Sequence, residues 1–129
     1  MALKPSYNDK LHLPGLSKTE ILILALEASQ KLEWNIEEVT PEGARFEVPF
    51  NMYSHGEEIT FTIEPGSDGE VAVRSQSSSV QFVDYGKNRK NIQKLRETME
   101  EIKTSLTPEE LTQKAKDFEE ECNRPLTEE

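Results

Sequence analysis

Three basic side chains lie beside two aromatic residues where an alternating strand pattern ends and a helical pattern begins. This segment, residues 81–92, has the sequence QFVDYGKNRKNI in a protein that is otherwise strongly acidic. Because the first amides of a helix lack intrahelical partners, such a junction can bind a phosphate, a lipid headgroup or an acidic peptide. The residues predicted to bind the anion or partner are Asp84, Tyr85, Lys87, Asn88, Arg89 and Lys90.

A solvated helix start is the alternative interpretation of the same segment. Positive charges in the first turn oppose the helix macrodipole, so they destabilise the helix unless a carboxylate or a bound anion offsets them. Asp84 is placed to act as the N-cap, and Tyr85 is placed to pack against the core. The residues alone leave both interpretations open.

The charge of the chain reverses after this junction. Residues 87–96 hold five basic side chains and no acidic one, whereas residues 97–129 hold eleven acidic and four basic side chains. This polarity is able to orient a partner, or to bring the last helix back onto the basic one. Pairing between residues four apart on solvated helices is the preferred explanation of the charge pattern.

Catalytic and metal-binding patterns are missing from the sequence. The serine-rich segment 76–79 contains no nucleophile-elbow motif. The two histidines lie apart from this segment, His12 in the N-terminal arm and His55 in a turn. These histidines and the lone Cys122 also lack the spacing of metal ligands. We therefore expect a protein that is not an enzyme and has no catalytic residues, no metal and no cofactor.

The overall charge limits the kinds of molecule that the chain is expected to bind. The chain has 129 residues with 15 basic and 25 acidic side chains, which gives a formal net charge of −10. A protein this acidic is a poor match for nucleic acid or for anionic membrane surfaces. No apolar run approaches the roughly 18 residues of a membrane span. With no signal-peptide pattern and a single cysteine, we expect a monomeric cytoplasmic protein, acting in some settings at the cytoplasmic face of a membrane.

Periodicity predicts the elements that would position the junction. A capping box formed by Ser17 and Glu20 opens a helix that runs to about Lys31. Four alternating strand patterns follow, at 34–39, 44–50, 58–64 and 70–75. Helical spacing returns after Gly86. A third helix starts at Thr107 and Pro108, where Thr107 and Glu110 form a second capping box.

These elements predict a two-layer α+β fold with the order helix, four-stranded antiparallel meander, helix, helix. The predicted organisation is a flexible N-terminal arm (1–16), an α+β core domain (17–104), a C-terminal helix (105–122) and a disordered tail (123–129). The first two helices should cover one face of the sheet. The third helix is expected either to pack on the other face or to project as an arm.

Segments 25–36, 56–60, 81–92 and 107–111 resemble a small bacterial domain of uncharacterised function. Similar segments form the cytosolic region ahead of the membrane domain in some rhomboid-type intramembrane proteases. The triplet Val73-Arg74-Ser75 and residues 84–88 bear a looser resemblance to the uncharacterised bacterial DUF1499 family. The first resemblance implies an accessory or regulatory module. It transfers no catalytic residue, because the protease's serine and histidine lie in transmembrane helices that this sequence lacks.

The function expected from these features is that of a non-enzymatic accessory or binding domain. It would recognise a membrane-embedded domain or a peptide through residues 81–92, as a free-standing protein or as part of a longer one that continues past Glu129. The alternative is a standalone small-molecule- or peptide-binding protein, which predicts a closed pocket lined by Trp34, Phe46 and Phe61. A third possibility is an oligomeric scaffold.

Overall fold

A computed structural model describes residues 6–49, 56–77 and 86–122 of the chain. In this part, five strands and three helices follow one another in the order β1 (Ser6–His12), α1 (Lys18–Lys31), β2 (Asn35–Thr40), β3 (Gly43–Val48), β4 (Glu57–Ile63), β5 (Glu70–Ser77), α2 (Lys87–Ser105) and α3 (Pro108–Cys122). The α+β class is confirmed, and the predicted strands and helices lie within a few residues of their expected bounds.

The sheet has five antiparallel strands in the order β1-β5-β4-β3-β2. The predicted meander is present as β2 to β5, but the sequence did not predict the fifth strand at its edge. The fifth strand, β1, comes from the segment expected to be a flexible arm, and it pairs with β5 over its whole length. Beyond β1, the Leu13 amide donates to the Gly69 carbonyl oxygen at 2.8 Å. Gly69 permits this approach because a Cβ at that position would overlap the Leu13 carbonyl group.

One face of the sheet is buried under α1 and α2. Its inward side chains alternate along β3, β4 and β5, as the sequence predicts for a sheet with one wet face. The aromatic rings of Trp34 and Phe46 lie 6.4 Å apart within this core. The residues at the centre of the core are Phe46, Ile59, Phe61, Val71, Val73 and Leu95.

The third helix packs on the first, so none of the three helices that the structure describes covers the second face of the sheet. Leu111 and Ala115 are its buried residues, and Lys114 forms an ion pair with Glu27 of α1 at 3.0 Å. Thr112 also donates a hydrogen bond to Glu20 at 3.0 Å. Of the two predicted positions, neither is correct: α3 joins the helical layer.

Both predicted capping boxes are present. The Glu20 amide donates to the Ser17 hydroxyl at 3.1 Å, and the Ser17 amide donates to the Glu20 carboxylate at 2.9 Å. Thr107 and Glu110 make the same reciprocal pair at 3.1 and 2.8 Å. None of the helices that the structure describes is long and apolar enough to cross a membrane.

Candidate functional site

The N-cap of helix α2 lies two residues after the predicted one. Its N-cap is Gly86, whose φ of 76° lies in the left-handed region that glycine tolerates best. The expectation that Asp84 caps the helix is therefore wrong. The side chains of Asp84 and Tyr85 lie outside the described residues. Gly86 has no side chain with which to satisfy the first amides of the helix.

Below the first turn of α2, Asn88 is fully buried against the last residues of β5. The Ser75 hydroxyl donates to the Asn88 Oδ1 atom at 2.7 Å, and the Asn88 Nδ2 atom donates to the Ser77 hydroxyl at 3.2 Å. The amide side chain thus uses both its acceptor and its donor on one strand. Asn88 was predicted as a partner-binding residue, but its side chain lies inside the protein.

Asn91, one turn further along α2, extends these contacts to β4. Its Nδ2 atom donates to the Ser75 hydroxyl at 3.2 Å and to the Glu57 Oε1 atom at 3.0 Å. Glu57 is only 2% exposed, and an unpaired carboxylate at such a site would be very costly. We call the five residues Glu57, Ser75, Ser77, Asn88 and Asn91 the polar network. It joins α2 to two neighbouring strands.

The polar network determines where the basic side chains point. Since successive residues of a helix are rotated by about 100°, anchoring positions 88 and 91 against the sheet turns their neighbours outward. Arg89 and Lys90 are exposed and Lys87 is half-buried. We call Lys87, Arg89 and Lys90 the basic surface. The structure brings these three predicted residues together at one end of α2.

No ion pair neutralises the basic surface within the described part of the chain, although the charge of Arg89 does act on the Asp9 carboxylate of β1. The first turn of α2 contains no acidic residue. Among residues 6–49, 56–77 and 86–122, no carboxylate forms an ion pair with Lys87, Arg89 or Lys90. An acidic protein therefore displays a local group of cations at a helix start that favours anions.

Further along α2, Arg96 bridges the helix to β1. Its Nη2 atom lies 2.8 Å from the Asp9 Oδ2 atom. The hydrogen bond from Arg96 lowers the pKa of Asp9, and the Lys10 amide hydrogen bond lowers it further. Burial opposes this shift, and the charges of Arg96 and Arg89 add to it.

Four members of the polar network were not predicted from the sequence, although the alternation of the strands contained a signal for them. Ser75 and Ser77 continue the inward alternation of Val71 and Val73. Glu57 is likewise in phase with the inward residues of β4. A polar residue at a position where the pattern requires an apolar one indicates a buried hydrogen bond, and Asn88 and Asn91 satisfy the same criterion on α2.

The other residues considered in the sequence are scattered. His12 is exposed in β1, Cys122 is exposed at the end of α3, and His55 lies outside the described residues. Phe46 and Phe61, expected to line a closed pocket, belong instead to the core together with Trp34. In the described ranges no three His, Cys, Asp or Glu side chains are arranged to hold a metal ion.

Comparison with known families places these features in context. The family model DUF1499, described as a protein of unknown function, matches residues 6–99. The match includes all five strands, α1, the polar network and the basic surface, and it ends within α2. The sequence has no match among curated proteins. The looser of the two resemblances is thus confirmed, the resemblance to rhomboid-type proteases gains no support, and the chain belongs to the DUF1499 family.

Proposed function

We propose that this DUF1499 protein is a non-enzymatic binding domain whose basic surface engages an acidic peptide segment of a partner. The observation that carries the proposal is the group of cations at the start of α2, which has no ion pair among the described residues of a chain with a net charge of −10. Such a local reversal of charge gives a partner a defined place and orientation on the surface.

Helix electrostatics supply the physical reason for an anionic partner. The positive end of the macrodipole already favours negative charge, and the three side chains add to this field. Without a partner, the same side chains destabilise the helix start. A bound carboxylate relieves this repulsion and gains charge-assisted hydrogen bonds at the same time.

The polar network contributes by holding the binding surface in place before the partner arrives. Asn88 and Asn91 fix the first turns of α2 on β4 and β5 through four hydrogen bonds between side chains. A surface that is ordered in advance loses less conformational entropy on binding than a flexible one. The network therefore serves recognition without touching the partner.

The setting of this interaction is part of the proposal. The partner would be a free peptide segment or the acidic loop of a membrane-embedded domain, encountered in the cytoplasm, and the domain would act as an accessory module. The alternative of a small-molecule binder with a closed pocket between sheet and helices is weakened, because Phe46 and Phe61 are 0% and 1% exposed within the core.

A charge-reversal experiment tests the proposal. The triple variant Lys87→Glu, Arg89→Glu, Lys90→Glu is compared with the wild type for binding of a fluorescein-labelled oligoglutamate peptide. Binding is measured by fluorescence anisotropy at about 0.1 M ionic strength, where the Debye length is about 10 Å. Since each exposed ion pair with the peptide is worth about 0.5 kcal/mol, losing three of them should lower the affinity at least about tenfold. Raising the salt concentration should weaken wild-type binding.

The matched control is Lys18→Glu, Lys103→Glu, Lys116→Glu. It changes the net charge by the same amount at three cations that also lack ion pairs among the described residues. Affinity in the control should stay within about twofold of the wild type, since exposed charges more than a Debye length away are screened. An equal loss in both triple variants, or no saturable binding by the wild type, would overturn the proposal.

A further inference from the structure

The face of the sheet opposite the helices carries a shallow hollow of about 400 Å³. Two neighbouring cross-strand rows form it. In one row Asn8, Arg74 and Thr60 lie side by side on β1, β5 and β4. In the next row Lys10 and Thr62 flank Ala72. The small side chain of Ala72 between longer neighbours creates the depression.

The side chains around the hollow are mainly hydrogen-bond donors. Arg74 and Lys10 are cations, and the Asn8 amide and two threonine hydroxyls are able to donate as well. Asp9 also borders the hollow, but alternate residues of a strand point to opposite faces. Its carboxylate is held by Arg96 on the helical side at 2.8 Å. The threonine methyl groups and Ala72 provide an apolar floor.

The neighbouring carboxylates Glu58 and Glu64 already have cationic partners, which for Glu64 is Lys10 of the hollow itself. Glu58 lies on the same face as Arg74, but its carboxylate is 3.7 Å from the Arg45 guanidinium, which also pairs with Glu37 and Glu38 at 3.6 Å. Glu64 pairs with Lys10 at 3.3 Å at the rim. Arg74 has no ion pair with any residue that the structure describes.

We propose that the hollow binds a small organic anion, a carboxylate or phosphate group on a compact apolar body. Arg74 would hold the anionic group with its planar guanidinium, which suits two parallel hydrogen bonds, and Asn8 and Thr60 would donate from either side. The apolar body would lie over Ala72 and the methyl group of Thr62. The volume is within the range of small-molecule sites.

This site is independent of the proposed function. The basic surface lies on α2, in the layer that covers one face of the sheet, and the hollow lies on the opposite face. Binding at one does not require the other, so either proposal is able to fail alone.

The proposal is tested by titrating the ¹⁵N-labelled protein with inorganic phosphate, phenyl phosphate and benzoate, and following amide shifts by NMR. We expect saturable shifts on β1, β4 and β5, with phenyl phosphate or benzoate binding several-fold more tightly than inorganic phosphate. Comparison of the two aromatic probes shows which anionic group is preferred. Shifts confined to the start of α2, or no saturation in the tens of millimolar range with any probe, would overturn the proposal.

Two variants separate the anionic contact from the apolar one. Arg74→Gln should weaken binding of phenyl phosphate and benzoate at least about tenfold, because a charge-assisted hydrogen-bond pair is lost. Ala72→Leu should fill the depression and weaken the two aromatic probes more than inorganic phosphate. Lys116→Gln removes one exposed charge from α3 and should leave binding unchanged. Unaltered affinity in Arg74→Gln would contradict the assignment.

Discussion

The two halves of α2 meet the sheet through opposite kinds of contact. In the first half, Asn88 and Asn91 hydrogen-bond to serines and a glutamate on β4 and β5. In the rest of the helix from Ile92 onward, which we call its second half, Ile92, Leu95, Met99 and Ile102 pack into the apolar core, with 0%, 0%, 1% and 9% of their surfaces exposed. One helix thus combines a polar and an apolar interface on a single buried stripe.

The two kinds of contact contribute differently to the stability of the fold and to the position of the helix. Apolar burial is strong and non-directional, so the second half of α2 holds the helix to the sheet without specifying its rotation closely. Hydrogen bonds contribute less net free energy, but they require defined distances and angles. The polar half therefore fixes the rotation of the helix at the end that carries the basic surface.

The largest loss of stability should come from removing an apolar side chain in the second half of α2. Leu95→Ala removes a fully buried side chain from the core. We expect the free energy of unfolding, measured by urea denaturation, to fall by about 3 kcal/mol through lost burial and the remaining cavity. The exposed Gln93→Ala is the control and should change it by less than about 0.5 kcal/mol. A fall as small as the control's would show that this half is not the main anchor.

A smaller loss is expected in the polar half. Asn91→Leu removes the donor shared by Glu57 and Ser75 and leaves a buried carboxylate with one partner fewer. The free energy of unfolding should fall by about 1 to 3 kcal/mol despite the added apolar surface. Amide shifts in the first turn of α2 should also change more than those around Met99. Stabilisation by this variant would show that the network is not needed for the fold.

Double-mutant cycles show whether the contacts of the polar network act together and independently of the apolar half of α2. Ser75 contacts Asn88, so a double-mutant cycle of Ser75→Ala and Asn88→Ala should show a coupling energy of about 0.5 to 1.5 kcal/mol. The pair Asn88→Ala and Ile102→Ala joins the two halves across about 21 Å of helix, and its effects should add within about 0.5 kcal/mol. Strong coupling in this second cycle would indicate that the two halves act as one unit.

The smallest effect belongs to the half-exposed bridge between Asp9 and Arg96. The pKa of Asp9 is lowered in the folded protein, so the bridge stabilises the fold above the unfolded pKa and loses that contribution as pH falls through the folded value. Because both side chains are partly solvated, we expect less than about 1 kcal/mol. Asp9→Asn should reduce the acid dependence of stability in urea melts between pH 2 and 7. An unchanged slope would exclude Asp9 as a contributor.

Local patterns were enough to predict most of the fold. The inward alternation of Ile59, Phe61 and Ile63 and the capping boxes at Ser17 and Thr107 are decided within a few residues of chain, and the structure contains all of them. The strand β1 was missed for the opposite reason. Of its seven residues only Leu11 is buried, so the strand is specified by its pairing with β5 and not by its own pattern.

The position of the candidate site could be predicted from the sequence, but which of its side chains are exposed and which are buried could not. The sequence placed Lys87, Arg89 and Lys90 at a helix start, and the structure exposes Arg89 and Lys90 there. The sequence also predicted that Asn88 binds the partner. The burial of Asn88 could not be predicted, because the direction of its side chain depends on the rotation of the helix on the sheet. That rotation is set by contacts with Ser75 and Glu57, which are distant in sequence and were not expected to be buried.

The pairing of β1 with β5 has a consequence for how the chain is made. Leu11 faces Val71, so at a synthesis rate of about 5 to 20 residues per second the first strand waits about 3 to 12 seconds for the roughly 60 residues up to its partner. During this time its backbone donors and acceptors are unpaired on the ribosome. Asn8, Asp9 and Lys10 make the waiting strand a poor template for pairing with another chain. The polarity that hides β1 from sequence analysis also protects the nascent protein from aggregation.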